Sequence, residues 1–363
     1  MREESPTTPR KISYSAALCD GMAQALSEDS RVIVVGEGVP DPKSIFETTR
    51  GLRERFGPTR VFDSPLSENG MTGICVGAAL SGLRPVMVHQ RIDFALLAMD
   101  QIVNNAAKWR YMFGGQVTVP LVIRVIVGRG WGAGPQHSQS LQAMFAHVPG
   151  LKVVMPVSAR DAKGMLLAAI RDDNPVIFIE HRWLQGIVDY VPEEAYVTPL
   201  DRALICRPGR DVTVVAFSYM VIEALLAAEA LSEFGIDVEV IDARSVRPLD
   251  TATFAASVCR TGALVVADTA WKTGGIAGEV VAGIAEDPQA FKALRHPPLR
   301  IALPDLPVPT SPHLTQGFYP EALHMARAIA GHLGRSVDDA VLSQRLTRKS
   351  PHDVPQKDFT GPF

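Results

Sequence analysis

Residues 63–85 read DSPLSENGMTGICVGAALSGLRP, and this stretch decides how the first half of the chain is read. A short apolar run, VFDSP (61–65), leads into it, and another, PVMVHQ (85–90), leads out. Between them Gly70, Gly73 and Gly77, followed by Ala78 and Ser81, recur three or four residues apart and share one helical face. A glycine inside a helix costs about 1 kcal/mol against alanine. The spacing therefore predicts that something large packs there, another backbone or a flat ligand. Glu68 opens this helix. A carboxyl at that place either caps free amides or works as an acid, and the local sequence leaves both readings standing.

Outward from this helix, apolar runs alternate with helical patterns, the signature of a parallel sheet covered by helices. VIVV (32–35) ends in Gly36-Glu37-Gly38, and PVMVHQ leads to a helical stretch from Phe94 to Lys108. PLVIRVIV (120–127) enters the loop GRGWGAG (128–134). A helix around Ser140–Ala146, the strand KVVMP (152–156), a helix from Asp161 to Ile170 and the strand PVIFIE (175–180) follow. A second series starts at DVTVVAF (211–217), with a helix from Val221 to Phe234 and strands DVEVID (237–242) and ALVVAD (263–268). The fold class expected is α/β with two doubly wound domains, at 10–187 and 205–335. A link at 188–204 joins them, and a polar tail occupies 336–363.

The composition narrows the function classes. Of 363 residues, 47% are hydrophobic and 21% charged, as in ordinary globular proteins. A formal net charge of -3 gives no footing for nucleic acid or an anionic membrane. No apolar run reaches the roughly 18 residues of a membrane span. Cys19, Cys75, Cys206 and Cys259 are far apart and form no CxxC pair, so they read as reduced thiols. The polar N-terminus lacks a signal core, and a cytoplasmic protein is expected.

GRGWGAG is neither GxGxxG nor a GxxxxGK[ST] loop, and WKTGGIAGE (271–279) shares that weakness. His137, in PQHSQS, lies past a strand, as do Glu37, Glu68 and Phe94, so all four point to the ligand-binding rim of an open α/β sheet. His147, in FAHVPG, reads as a helix-terminus residue. No catalytic triad order and no HExxH is present. A rim without phosphate or metal ligands suggests half a site, completed by a partner chain.

RVFDSPLSENGMTGICVGAALSGLRPV, DFALLAMDQIVNNAAKWRYMFGGQ and QHSQSLQAMFAHVPGLKVVMP together resemble the beta subunit of thiamine-diphosphate-dependent 2-oxo acid dehydrogenases, within the transketolase superfamily. The resemblance covers roughly 11–330, including KTGGIAGE and LPDLPVP. It implies a pyrimidine-binding domain followed by a transketolase C-terminal domain. The diphosphate and its magnesium would be held by an alpha subunit through a GDG…N motif, where this chain has only Cys19-Asp20-Gly21. Glu68 matches the glutamate that bonds the pyrimidine ring nitrogen, Phe94 the aromatic that stacks on the pyrimidine, and His137 the active-site histidine. A proton shared between Glu68 and the ring nitrogen favours the imino tautomer, which deprotonates the thiazolium carbon. Leu121, Ala169, Ile170, Asp172 and Asn174 match the segment that supplies oxygens to a potassium ion; a plain helix-end turn is the alternative.

The chain departs from the family pattern at Val88, where glutamate is usual, at nearby His89 and Arg91, and at Arg129 and Trp131 ahead of His137. Its tail beyond Arg335 exceeds the usual length. The expected assembly is two alpha and two beta chains, a second copy of this chain included, with a lipoyl acyltransferase as a further partner. The rival readings are a split transketolase-like subunit passing an activated aldehyde to an aldose, and a non-catalytic assembly subunit in which Glu68 is a cap. Arg91 and Arg129, read as near the rim, raise the expectation that the substrate or acceptor carries an extra anionic group; the alternative is that they face solvent or the alpha subunit.

Overall fold

The computed structural model describes residues 10–348, apart from 42, 44, 45 and 131, together with 350 and 352. The described residues form two compact units, one of 10–127 and 144–200, the other of 128–143 and 201–352.

In the first unit, strands β1 (Arg10–Ser13), β2 (Val32–Gly36), β3 (Val61–Phe62), β4 (Arg84–Val88), β5 (Val122–Val127), β6 (Lys152–Val154), β7 (Val176–His181) and β8 (Val188–Val191) follow in sequence. Six of them lie parallel in the order β6–β7–β5–β4–β2–β3. Strands β5 and β7 are buried along their whole length, which is why they read as largely apolar runs. Each carries one charge into that interior. Arg124 Nε donates to Glu180 Oε1 at 2.6 Å, and Gln185 Nε2 donates to the other oxygen at 3.1 Å. Helix α1 (Tyr14–Glu28) starts at Ser13, whose hydroxyl accepts from Ala16 N, and packs along the later helix Ala159–Arg171.

Part of the stretch expected to be a link is a strand. β8 pairs antiparallel with β1. The residues after it are pinned by Lys163, whose buried ammonium donates to the carbonyls of Pro192, Glu193 and Glu194 and pairs with Asp20 at 2.9 Å. The expected helix from Phe94 to Lys108 is also more broken than its apolar spacing indicated. A turn of α-helix at Ile92–Ala95 tightens at Leu96–Ala98, widens into a π-helix at Asp100–Ala106 and closes at Trp109–Met112.

The second unit holds β9 (Leu204–Arg207), β10 (Val212–Ala216), β11 (Val238–Asp242), β12 (Ser245–Arg247), β13 (Leu264–Trp271) and β14 (Leu299–Leu303). Its sheet runs β14–β13–β10–β11–β9, parallel except for the antiparallel edge strand β9. Residues 336–348, read as polar tail, contain a helix, Asp339–Leu346, capped by Asp338 and paired to the preceding helix by Arg327 and Asp339 at 2.6 Å. Residues 353–363 lie outside the described part. Among the described residues no helix is long and apolar enough to cross a membrane.

Candidate cofactor site

Helix α2 (Leu52–Phe56) precedes β3, and α3 (Glu68–Leu80) follows it, with Ser67 at the N-cap and no side-chain hydrogen bond capping that end. Glu68 is thus a first-turn residue and performs no capping bond. Its neighbours arrive from the carboxyl ends of three adjacent parallel strands, β4, β2 and β3, where open sheets receive ligands. Glu37 follows β2, Asp63 and Ser64 follow β3, and His89 follows β4.

The backbone there is drawn tight. A Cβ at Gly36 would lie 2.2 Å from the Val88 carbonyl oxygen, so only glycine lets β2 end against β4. Asp63 Oδ1 accepts from Gly38 N and Ser64 N, both at 3.0 Å, which joins the two strand ends. The result is an acidic corner. The carboxyl of Glu37 is pushed above its ordinary value, first by burial and then by the charges of Glu68 and Asp63. Phe94 stands half-buried on the turn Ile92–Ala95, which gives the aromatic surface a stacking ring needs.

The glycine face is only partly filled. A Cβ at Gly73 would meet Gln101 Oε1 at 3.1 Å and one at Gly70 would meet Ser67 Oγ at 2.9 Å, while Gly77 has nothing within 4 Å.

Beneath the corner, Thr72 Oγ1 and His89 Nε2 lie 3.3 Å apart, both buried. Burial lowers the His89 pKa from 6.5 to about 4. The unfolded chain therefore binds more protons between pH 6.5 and about 4. The stabilising effect of neutral His89 is complete above 6.5 and is lost as pH falls through that window, amounting to about 3 kcal/mol. Thermal unfolding of His89→Gln across the same range should show a correspondingly flatter loss of stability on acidification. Parallel curves for the two proteins would contradict this.

His137 belongs to the segment 128–143, which groups with the second unit. Its amide bonds the Gly134 carbonyl at 3.4 Å. The segment is held by contacts that sequence reading missed. A Cβ at Gly134 would lie 2.6 Å from Thr310 Oγ1, and Gln142 Nε2 donates to Asp268 Oδ1 at 2.6 Å. Asp268 is fully buried at the middle of β13, and burial raises its pKa to about 6 against the opposing bonds from Ala270 N and Gln142. An aspartate inside the apolar run ALVVAD was the available signal.

Arg129 is not at the rim. It is buried, with its guanidinium 4.1 Å from the centre of the Tyr319 ring and 3.9 Å from Glu321. Arg91 does stay half-exposed just before Phe94. Trp131 lies outside the described residues. His147 follows the helix Gln142–Ala146 directly, as expected.

The potassium segment is complete in itself. Arg84 Nη1 donates to the carbonyls of Ile170 and Asp172 at 3.0 and 3.1 Å, and Leu121 O accepts from Val176 N at 2.9 Å. Ala169 O accepts from Asp172 N at 3.3 Å, and the Asp172 carboxylate takes both Asn174 N and Nδ2 as well as Lys152. The oxygens named for a cation thus accept from a guanidinium, an ammonium, an amide side chain and backbone amides. Cys19-Asp20-Gly21 is likewise no metal motif. It lies within α1, and Asp20 pairs with Arg10 at 2.5 Å and with Lys163. Among the described residues no cluster of His, Cys, Asp and Glu could hold a metal ion.

Residues 10–186 match the transketolase pyrimidine binding domain, and 201–325 match the transketolase C-terminal domain. The pyruvate dehydrogenase E1 component subunit beta-1, mitochondrial, of Arabidopsis thaliana is 43% identical over 323 residues, 88% of either chain. This chain belongs to the beta-subunit family of thiamine-diphosphate-dependent 2-oxo acid dehydrogenases. Among its other relatives are the pyruvate dehydrogenase E1 subunit beta of Rickettsia felis, 42% identical over 88% of this chain and 97% of that one. The acetoin:2,6-dichlorophenolindophenol oxidoreductase subunit beta of Cupriavidus necator is 43% identical, over 88% and 96%. In fold the chain also resembles a split-gene transketolase, solved as an inactive beta4 tetramer, with a TM-score of 0.73 at 22% identity over 89% of this chain and 99% of that one. As a beta-family member it is a thiamine-diphosphate-dependent oxidoreductase subunit, and the residues around Glu68 fit the pyrimidine half of that cofactor.

Proposed function

We propose that this chain is the pyrimidine-holding half of a pyruvate-dehydrogenase-like first component, active only when an alpha subunit supplies the diphosphate and magnesium half. The observation that carries the reading is Glu68: it begins α3 at the rim of a parallel sheet, makes no capping bond, and shares its corner with a carboxyl of raised proton affinity. Thiamine diphosphate, when bound, supplies the electron sink for breaking a bond to the 2-oxo carbon. The chain's own part is to bind and to move protons. Glu68 would bond the pyrimidine nitrogen, with Glu37 and Asp63 as the acids at the neighbouring strand ends. Phe94 offers its face to the ring. His137 is a donor for charge that develops on the substrate oxygen or for the acceptor. Of the two arginines considered for an anionic substrate group, Arg91 keeps that role, since Arg129 is committed to Tyr319 and Glu321.

The division into halves is supported by Asp20, which pairs with Arg10 and Lys163, and by the lack of a metal-holding cluster among the described residues. Calorimetry of the purified chain with thiamine diphosphate and magnesium should therefore show weak binding and no turnover of 2-oxo acids, both restored on adding the cognate alpha subunit. Tight magnesium-dependent binding by this chain alone would overturn the split-site reading. A lipoyl domain as acceptor, against an aldose, separates the dehydrogenase from the transketolase-like alternative in the same assay.

A further inference from the structure

The C-terminal family match ends at residue 325, yet the chain continues through Asp339–Leu346 to a buried arginine, Arg348, whose side chain is 3% exposed. That arginine comes from the segment that exceeds the family pattern, and it lies in the same cluster as Arg129, the other departure. Arg348 Nε stands 3.4 Å from Glu321 Oε1, and its Nη1 stands 3.9 Å from Glu223 Oε1. Glu321 also faces Arg129 at 3.9 Å and His352 Nδ1 at 2.9 Å. Glu223 is 2% exposed, and its second oxygen accepts from Ala322 N at 2.8 Å, at the start of the helix Ala322–His332.

The cluster sets two carboxylates against two guanidinia, with the His352 ring as a further partner of Glu321. Buried charges persist when each is matched, and removing one partner leaves the other uncompensated. Without Arg348, the two carboxylates would face a single guanidinium, that of Arg129, which now lies over the Tyr319 ring. The least costly response is for Arg129 to turn toward them and leave the ring. Arg129 is on the glycine-rich loop that leads to His137, and each of Gly128, Gly130, Gly132 and Gly134 has a positive φ, so little in the loop's own backbone resists the change.

We infer that residues 333–348 are an internal brace for the His137 loop, and that Arg348 is its positioning residue, acting through Glu223 and Glu321 on Arg129. The activity part of this inference rests on the function proposed above, whereas the loop part does not.

The test is hydrogen exchange of the full-length chain, alone and with its alpha subunit, together with steady-state kinetics. In Arg348→Met, amides of Arg129, of 132–134 and of Gln136 and His137 should exchange about tenfold faster while the remainder of both units is unchanged, as for a local opening. Turnover should fall about tenfold, with KM and cofactor affinity within about twofold, because the loop acts after binding. Arg348→Lys keeps the charge without the planar fork and should fall between. Arg345→Met breaks pairs with Glu229 and Glu233 on the neighbouring helix and should leave the loop at the wild-type rate. Unchanged loop exchange in Arg348→Met, or a loosened loop with undiminished turnover, would overturn the brace. Should Arg348→Met unfold throughout, Arg348→Lys carries the same decision. A loosened loop in a complex whose unaltered form turns over no 2-oxo acid would leave the brace supported and refute the proposed activity.

Discussion

Glu68→Gln, assembled with the alpha subunit, is expected to lose about 10²–10⁴-fold in turnover, the usual contribution of a positioned acid–base group. Glutamine keeps the size of the side chain and can still donate to a ring nitrogen, but it has no acidic proton to share. The loss should therefore appear in hydrogen–deuterium exchange at the cofactor's reactive carbon, with cofactor affinity changing much less. Because Ser67 holds the N-cap and Glu68 makes no capping bond, the variant should unfold at nearly the wild-type temperature. The non-catalytic assembly reading requires the reverse: full activity in the variant. Exchange at the wild-type rate would remove Glu68 from the proton path.

The largest stability effect is expected at Arg124. This guanidinium and Glu180 are 2% and 1% exposed and bonded at 2.6 Å between two fully buried strands. Arg124→Met leaves Glu180 charged in the interior with Gln185 as its remaining partner, and removal of one member of such a pair costs about 3–5 kcal/mol. A second substitution, Arg124→Met with Glu180→Leu, removes the stranded charge and should recover more than half of the loss, since an apolar pair of similar volume is often neutral. Chemical denaturation of the three chains decides this. If the double variant is as unstable as the single one, packing around Met22 and Arg124, not the stranded charge, explains the loss.

How much of this was legible in the sequence depends on what holds each element. Strands β2, β4, β5, β7, β10, β11 and β13 announced themselves because they are largely buried and therefore mostly apolar. Strands β1, β8 and β9 did not, since they are largely exposed and exist through pairing with a distant partner. Glycine spacing located α3 and its opening acid, and a Cβ at Gly77 would meet nothing within 4 Å among the described residues. The acids beside Glu68 followed from strand ends. The support of His137 did not, because Gln142–Asp268 and Arg129–Glu321 join residues more than a hundred positions apart. Arg129 was misplaced for the same reason: a loop arginine reads as solvent-facing until its distant carboxylates are known.

The membership of residues 128–143 has a practical consequence for dissecting this protein. Covalently they sit inside the first family match, but by contact they belong with the second unit, through Thr310, Tyr319 and Asp268. A gene cut after residue 200 would thus give a first fragment whose His137 segment has lost its footing and a second fragment missing a piece of its own interior. Swapping whole halves between relatives to exchange substrate preference would create the same mismatch. A chimera that carries 128–143 along with 201–352 respects the native partition, and its successful folding would mark the seam along which this chain can be recombined.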